Sequence, residues 1–203
     1  MNIINLIAGF SISASCIIGT HNPVSQSHRP NPKELNVRAN HGSPDSAKWN
    51  TNFLEFVSAI TNNDQNKVKS FIDFPIRNEG NEIWYLADSK LVMKIDPNKI
   101  VPFTETDFDK YHSSIFPLDF RSTLQKLPTK DLFRKGKATS PDMEVVKGST
   151  SNLTATYDKT KHKLTLKLVT LIKGAQGTSF DVIYEFDVLE DQQIKFWKVH
   201  VSG

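Results

Sequence analysis

The sequence predicts an α+β fold in which amino-terminal helices pack in a curved antiparallel sheet formed by the later part of the chain. Before Pro128, apolar residues recur with the 3.6-residue period of an amphipathic helix. After Pro128, they alternate with polar residues at the two-residue period of a strand. Helices followed by a run of antiparallel strands indicate the α+β class, with the helices on one face of the sheet.

Several amphipathic helices are predicted in the first part of the domain. The first carries its apolar residues on one face, at Trp49, Phe53, Phe56, Val57 and Ile60. Asp64 can cap a second, shorter helix that buries Val68. Thr104 and Asp107 come close to a capping box before a third helix, and residues 118–127 add further helical turns.

Strand signals appear at several places along the chain. Residues 83–95 are rich in β-branched and aromatic side chains, and we expect one strand or a small hairpin there, with a helix over part of the segment as the alternative. Further short strands are expected at residues 132–137, 143–147 and 153–157, with turn residues between them. A final strand is expected at residues 193–201.

The clearest pattern is a hairpin of two long alternating segments, with residues 174–178 as its loop. In the expected register Ile172 lies opposite Phe180, and the pairing continues to Leu164 opposite Val188. One face of the hairpin is then almost wholly apolar, and a slip of one residue would turn that set to water. The other face carries mutually favourable pairs, Lys167 with Glu185 and Thr165 with Asp187.

Residues 1–19 predict a signal peptide or lipoprotein leader. The segment is mostly apolar, its length suits a signal peptide better than a membrane span, and the first charged side chain is Arg29. Ser13 and Ser15 are small residues that suit a cut before Cys16. Ala14 to Cys16 resemble the end of a bacterial lipobox, whose cysteine thiol receives a diacylglyceryl group. The alternative is a buried amino-terminal segment that carries an inert cysteine.

Residues 20–45 predict a disordered linker, and the folded domain is expected over residues 46–203. The linker is rich in Pro, Asn and Ser and has few large apolar residues, so it cannot bury enough surface to offset the entropy of ordering. Three of the six histidines fall in or beside it, at His21, His28 and His41. Their irregular spacing and the lack of nearby cysteines argue against a metal site.

The composition excludes several function classes. A net charge of +3, with basic and acidic residues interspersed, is too mild for a nucleic-acid-binding surface. A single cysteine cannot form an internal disulfide. The chain has neither a G-x-S-x-G nucleophile turn nor a G-x-G-x-x-G loop, so no cofactor is expected.

The order of elements resembles the nuclear transport factor 2-like superfamily. The resemblance rests on a short helix that ends in "FIDFPI", a later helix that contains "FDKYHSSIF", and a terminal strand "IKFWKVHVSG". It spans residues 49–201 and is greatest to small exported or lipid-anchored bacterial members of uncharacterised function. It implies a sheet that curls around helices into a cone. It implies no single activity, because this fold carries enzymes, binding modules and assembly domains alike.

Enzymes of this superfamily place Asp, Tyr or His inside the cone to move protons, so the resemblance implies candidate catalytic residues at Tyr111, His112 and Tyr184. A core aromatic is the plainer interpretation of Tyr184, and a helix-surface or satisfied core imidazole that of His112. His200 alternates with Trp197, Val199 and Val201 and is expected on the opposite face. Three strand acids, Asp181, Glu185 and Asp187, are interpreted as part of a solvated sheet face.

We therefore expect an exported, non-enzymatic domain that binds a small apolar ligand or a protein partner. The expected location is the periplasm or the outer membrane of a bacterium, with membrane contact only through a lipid on Cys16. Two alternatives remain open. One is a proton-transfer enzyme of the isomerase or dehydratase type that uses Tyr111, His112 or Tyr184. The other is a dimerisation or assembly module that forms a homodimer through its outer sheet face.

Overall fold

The architecture is mixed α+β, as the sequence predicts. A computed structural model describes residues 44–76, 79–173 and 179–202 of the chain, and seven α-helices there precede one five-stranded antiparallel sheet with the order β1-β2-β3-β4-β5. The helices are α1 (Pro44–Thr61), α2 (Gln65–Lys69), α3 (Glu82–Ala87), α4 (Ser89–Val92), α5 (Glu105–Ile115), α6 (Leu118–Gln125) and α7 (Thr129–Lys135). The strands are β1 (Lys137–Thr139), β2 (Ser149–Asp158), β3 (Lys163–Ile172), β4 (Ser179–Val188) and β5 (Ile194–Ser202).

Three sequence predictions fall on residues outside the described ranges. They are the leader of residues 1–19 with Cys16, the linker as far as residue 43, and the hairpin loop of residues 174–178.

Helix α1 begins at Pro44, two residues before the expected start of the domain. Proline suits the first position of a helix because the N–H that it lacks would have no partner there.

The apolar face of α1 packs on the sheet, as its spacing predicts. Trp49, Phe53, Phe56 and Ile60 are all buried. The ring of Phe56 lies 5.0 Å from that of Phe186 on β4, measured between centroids. Helix α6 covers the same sheet face, and its Phe120 is fully buried.

The caps predicted for α2 and α5 are confirmed, whereas Asp45 and Ser46, which could cap the first helix by sequence, lie inside α1. The carboxylate of Asp64 accepts a hydrogen bond of 3.0 Å from the backbone N–H of Lys67 at the start of α2. At the start of α5, the backbone N–H of Asp107 donates to the Thr104 hydroxyl at 3.2 Å. The backbone N–H of Thr104 donates to the Asp107 carboxylate at 2.9 Å, which completes the capping box.

The strand expected at residues 83–95 is wrong, and the helical alternative is correct. The segment forms α3 and α4, joined at Asp88, whose carboxylate accepts hydrogen bonds from the first N–H groups of α4. Ile83, Trp84 and Ala87 form one buried helical face. The segment is rich in β-branched and aromatic residues because it is buried, and strand propensity largely reflects burial.

The strand expected at residues 132–137 is also wrong in its first part. Residues up to Lys135 belong to α7, which buries Leu132 and carries an Asp131–Arg134 ion pair of 2.9 Å along its surface. Gly136 adopts the left-handed conformation with φ of 73° and ends the helix, and β1 follows. Of residues 143–147, Met143 alone forms a bridge to the sheet, whereas β2 and β5 are confirmed.

The β3–β4 hairpin has the expected inner face but a register that differs by two residues. Leu166 pairs with Tyr184, and Thr170 pairs with Phe180. A shift of two residues keeps every side chain on its own face, so hydrophobic alternation cannot distinguish the two registers. The charged pairs change as a result, because Lys163 binds Asp187.

A β-bulge at Trp197 changes the face of one predicted aromatic residue. Glu185 pairs with Lys198 and Phe186 pairs with Phe196, so Trp197 is the extra residue on β5. Its side chain is 47% exposed and lies beneath the Lys163 ammonium, which is 4.0 Å from the ring centroid. Trp197 therefore lies on the opposite face from Val199, and strict alternation was the wrong assumption here.

Tyr184 occupies the centre of the core. Its ring is fully buried and lies 4.5 Å from that of Phe120, and its hydroxyl donates a 2.7 Å hydrogen bond to the backbone carbonyl of Ile115 at the end of α5. Burial raises the pKa of Tyr184 well above its ordinary value, and the charge of Asp119 adds to this effect. The neutral phenol is therefore the form that holds α5 on the sheet.

Tyr184→Phe tests this hydrogen bond through the pH dependence of stability. Because the pKa of Tyr184 is higher in the folded state, its contribution is complete below about pH 10, the ordinary tyrosine pKa, and is lost as the pH rises toward the folded-state value. We expect the variant to be less stable by about 1–2 kcal/mol near neutral pH. Urea unfolding of both proteins across the alkaline range measures the difference, and a difference that does not shrink with rising pH would contradict the assignment.

Candidate functional site

An open groove lies at one end of the sheet in the described part of the protein. Its volume is about 780 Å³. The wall is formed by α3 and the turn before it, and the floor by the ends of β3, β4 and β5. The lining residues are Gly80, Glu82, Tyr85, Thr170, Ile172, Ser179, Phe180, Val201 and Ser202.

The floor of the groove is the uncovered end of the apolar inner face. Even-numbered residues of β4 from Val182 onward are buried under the helices, yet Phe180 in the same row is 39% exposed. On β3, Ile172 is 46% exposed, and Tyr85 on the wall is 52% exposed. A groove with apolar walls and few polar groups is the usual form of a small-molecule site.

A polar cluster closes the groove on the side of α6. The carboxylate of Asp119 accepts hydrogen bonds from Thr170 at 3.3 Å and from Ser151 at 3.4 Å. The two hydroxyls are 2.9 Å apart. These hydrogen bonds satisfy the polar groups at the end of the apolar inner face. They also anchor the first turn of α6 to β2 and β3.

His200 ties the wall of the groove to the sheet. Its Nδ1 lies 2.8 Å from the Glu82 carboxylate on α3, and its Nε2 lies 3.4 Å from the Glu185 carboxylate on β4. Lys198 also lies 3.8 Å from Glu185. A neutral imidazole has one N–H, so it can donate to one of these carboxylates, whereas an imidazolium can donate to both.

The three candidate catalytic residues lie in three different places. The Tyr184 hydroxyl is in the core, bound to Ile115. The Tyr111 hydroxyl lies 3.4 Å from the Asp88 carboxylate beside α4. Hydrogen bonds from the N–H groups of Leu91 and Lys90, and then from Tyr111, lower the pKa of Asp88.

His112 lies on α5 and faces α1, α2 and α6 rather than the groove. Its Nε2 is 3.2 Å from the Ser113 hydroxyl, and it lines a small cavity with Arg121. The structure therefore does not bring Tyr111, His112 and Tyr184 together around one space.

The strand acids pair with lysines on the outer sheet face. Asp187 binds Lys163, Glu185 lies near Lys198, and Asp181 binds Lys167 at 2.6 Å. This agrees with their interpretation as part of an outer sheet face, although the partners of Glu185 and Asp187 differ from those expected because of the register shift.

Sequence reasoning missed the groove residues as a group. The expected hairpin already placed Ile172 and Phe180 on the apolar face, so that part of the signal was present. How far the helices cover that face depends on packing, and the pattern of β3 and β4 carries no information about it. Tyr85 could not be assigned either, because residues 83–95 were expected to form strands.

Comparisons with known proteins found no match to this chain. No family model matches the chain, no curated protein matches it, and no solved structure matches it.

Among the described residues, no helix combines the length and apolar character that crossing a membrane requires. The same residues contain no group of three or more His, Cys, Asp or Glu side chains that could hold a metal ion.

His200→Leu tests whether this histidine holds the groove wall. The change removes the imidazole that lies between the Glu82 and Glu185 carboxylates. We expect the free energy of unfolding to fall by about 0.5–1 kcal/mol and amide hydrogen exchange in α3 to become faster. His162→Asn is the control, because this exposed residue has a positive φ that asparagine tolerates. Unchanged exchange in α3 would show that His200 does not hold the wall.

Proposed function

We propose that the chain is an exported, lipid-anchored binding domain that takes a small apolar ligand in the groove beside α3. The observation that carries this proposal is the exposed apolar lining of a cavity of about 780 Å³. Small-molecule sites commonly have volumes of roughly 300–1,000 Å³. Apolar side chains at the end of a packed sheet face remain exposed to water in the free protein, and a ligand that covers them removes this area from water, which is favourable.

Binding is a better proposal than proton transfer because of where the ionisable groups lie. A proton-transfer site needs at least two such groups within hydrogen-bonding reach of one enclosed space. Tyr111, His112 and Tyr184 are separated, and the Tyr184 hydroxyl already donates a hydrogen bond to a backbone carbonyl. In the groove, Glu82 is engaged with His200.

A curved, cone-like sheet of the nuclear transport factor 2-like kind is part of the proposal. The order of helices before an antiparallel sheet supports it, as does the packing of α1 and α6 on one face. The bulge at Trp197 adds support, because β-bulges bend and twist a strand. In such a fold the groove corresponds to the open end of the inner face.

Export and lipidation rest on the sequence of residues 1–19 and on Cys16. In this proposal residues 20–43 link the leader to a domain outside the cytoplasm, because α1 already begins at Pro44. An apolar ligand suits such a location, because an apolar molecule in an aqueous compartment is stabilised when a protein covers its surface.

Phe180→Ser tests the groove. A neutral apolar fluorophore, N-phenyl-1-naphthylamine, should bind the full chain saturably and brighten as it leaves water. Removing the phenyl ring should weaken this binding by about tenfold, or about 1.4 kcal/mol, because the ligand covers only the exposed part of a side chain whose full burial contributes roughly 1.5–3 kcal/mol.

Leu189→Ser is the matched control for this experiment. Leu189 is 40% exposed, close to the 39% of Phe180, and lies just beyond the opposite end of β4. The control should bind the fluorophore as the unchanged chain does. Equal losses in the two variants, or no saturable binding at all, would remove the groove as the site.

Cys16→Ser tests the anchor separately. Mass spectrometry of the chain expressed in a bacterium should give an amino terminus at Cys16 with added acyl mass, in the membrane fraction. The variant should lose the acyl mass and leave the membrane, because one small side chain carries the lipid. Recovery of intact Met1 from the cytosol with the unchanged sequence would refute export.

A further inference from the structure

Arg121 on α6 carries a partly buried charge that the described side chains do not balance. Its Nη1 donates a 3.0 Å hydrogen bond to the side-chain oxygen of Asn63. Its Nε is buried and has no hydrogen-bond partner among the described residues. The ion pairs found in residues 44–76, 79–173 and 179–202 involve other cations. Leaving the buried Nε–H of a guanidinium without an acceptor is unfavourable.

His112 on α5 presents a second buried nitrogen in the same region. Its Nδ1 is buried and has no partner within the described part of the chain, while its Nε2 lies 3.2 Å from the Ser113 hydroxyl. Buried polar atoms nearly always have a partner, so each unpaired one calls for a physical explanation.

Arg121 and His112 line one small cavity where α1, α2, α5 and α6 meet. The other walls include the apolar side chains Ile60, Val68, Phe108 and Phe116. The cavity volume is about 10 Å³, close to the space that one water-sized particle needs. A carboxylate, sulfate or phosphate group would not fit without moving a helix.

We propose that a single-atom anion, chloride in solution, binds between Arg121 and His112. The Nε–H of an arginine is always a donor, because the guanidinium keeps its proton. The Nδ1 of His112 can donate when its proton is on that nitrogen. A chloride accepts both hydrogen bonds and also balances the positive charge of Arg121. A water molecule accepts the hydrogen bonds but leaves that charge unbalanced.

The bound anion would join three parts of the helical layer. Arg121 connects to the α1–α2 turn through Asn63, and His112 places the same anion against α5. The proposal is independent of the groove and of its ligand, because the cavity and the groove share no lining residue.

Thermal unfolding of the full chain at constant ionic strength tests this site, with sodium chloride exchanged for sodium gluconate. We expect a saturable rise of the unfolding midpoint with chloride, by about 2–4 °C when chloride is near five times its Kd. Arg121→Gln should lose this rise. Arg134→Gln should keep it, because Arg134 is 72% exposed and pairs with Asp131. No saturable rise with the unchanged chain would overturn the proposal.

Crystals grown with bromide provide a second measurement that does not depend on a variant's folding. Anomalous scattering should show one bromide between Arg121 Nε and His112 Nδ1. A water molecule at that position, without anomalous signal, would overturn the proposal even if Arg121→Gln fails to fold. N-phenyl-1-naphthylamine binding should be the same in chloride and gluconate, which separates this site from the groove.

Discussion

The contact between the inner face of the β3–β4 hairpin and helices α1 and α6 is the interaction on which the other features depend. Phe56 meets Phe186, and Phe120 meets Tyr184, at ring-centroid distances of 5.0 and 4.5 Å. Each fully buried side chain of this kind contributes roughly 1.5–3 kcal/mol, whereas a surface ion pair contributes about 0–1 kcal/mol. The Tyr184 hydroxyl is the polar group at the centre of this face, and its hydrogen bond to Ile115 removes the cost of burying it.

The groove follows from the limited extent of that contact. The apolar row on β4 runs past the helices to Phe180, and the row on β3 runs past them to Ile172. The polar cluster of Asp119, Ser151 and Thr170 marks the place where cover from α6 ends. Beyond it, α3 stands beside the sheet instead of lying on it, so the remaining apolar residues face an open space.

The sequence predicted the features that follow from hydrophobic periodicity. It did not predict those that depend on tertiary packing or turn geometry. The faces of α1, β3 and β4 follow from period alone. The hairpin register does not, because registers two residues apart bury the same side chains. Residues 83–95 and 132–135 carry strand-like composition but form helices, since Asp88 and Gly136 provide helix ends and the neighbouring core accepts a helical face.

For the groove, period placed Phe180 on the correct face, but its exposure depends on how far α6 reaches. His112 and Arg121 line the same cavity only because of the arrangement of four helices.

The two sides of the groove differ in how freely they can adapt to a ligand. The floor belongs to strands that are held by the Tyr184 hydrogen bond and by the Asp119 cluster, so its backbone offers one shape. The wall is anchored through Trp84, whose indole N–H donates a 3.0 Å hydrogen bond to the Val101 carbonyl. The next residue, Tyr85, is 52% exposed, and exposed side chains change rotamer within nanoseconds. In the proposed binding function, the exposed side chains of Tyr85, Phe180 and Ile172 would adapt to ligands of different width, while the backbone of the floor would stay in place.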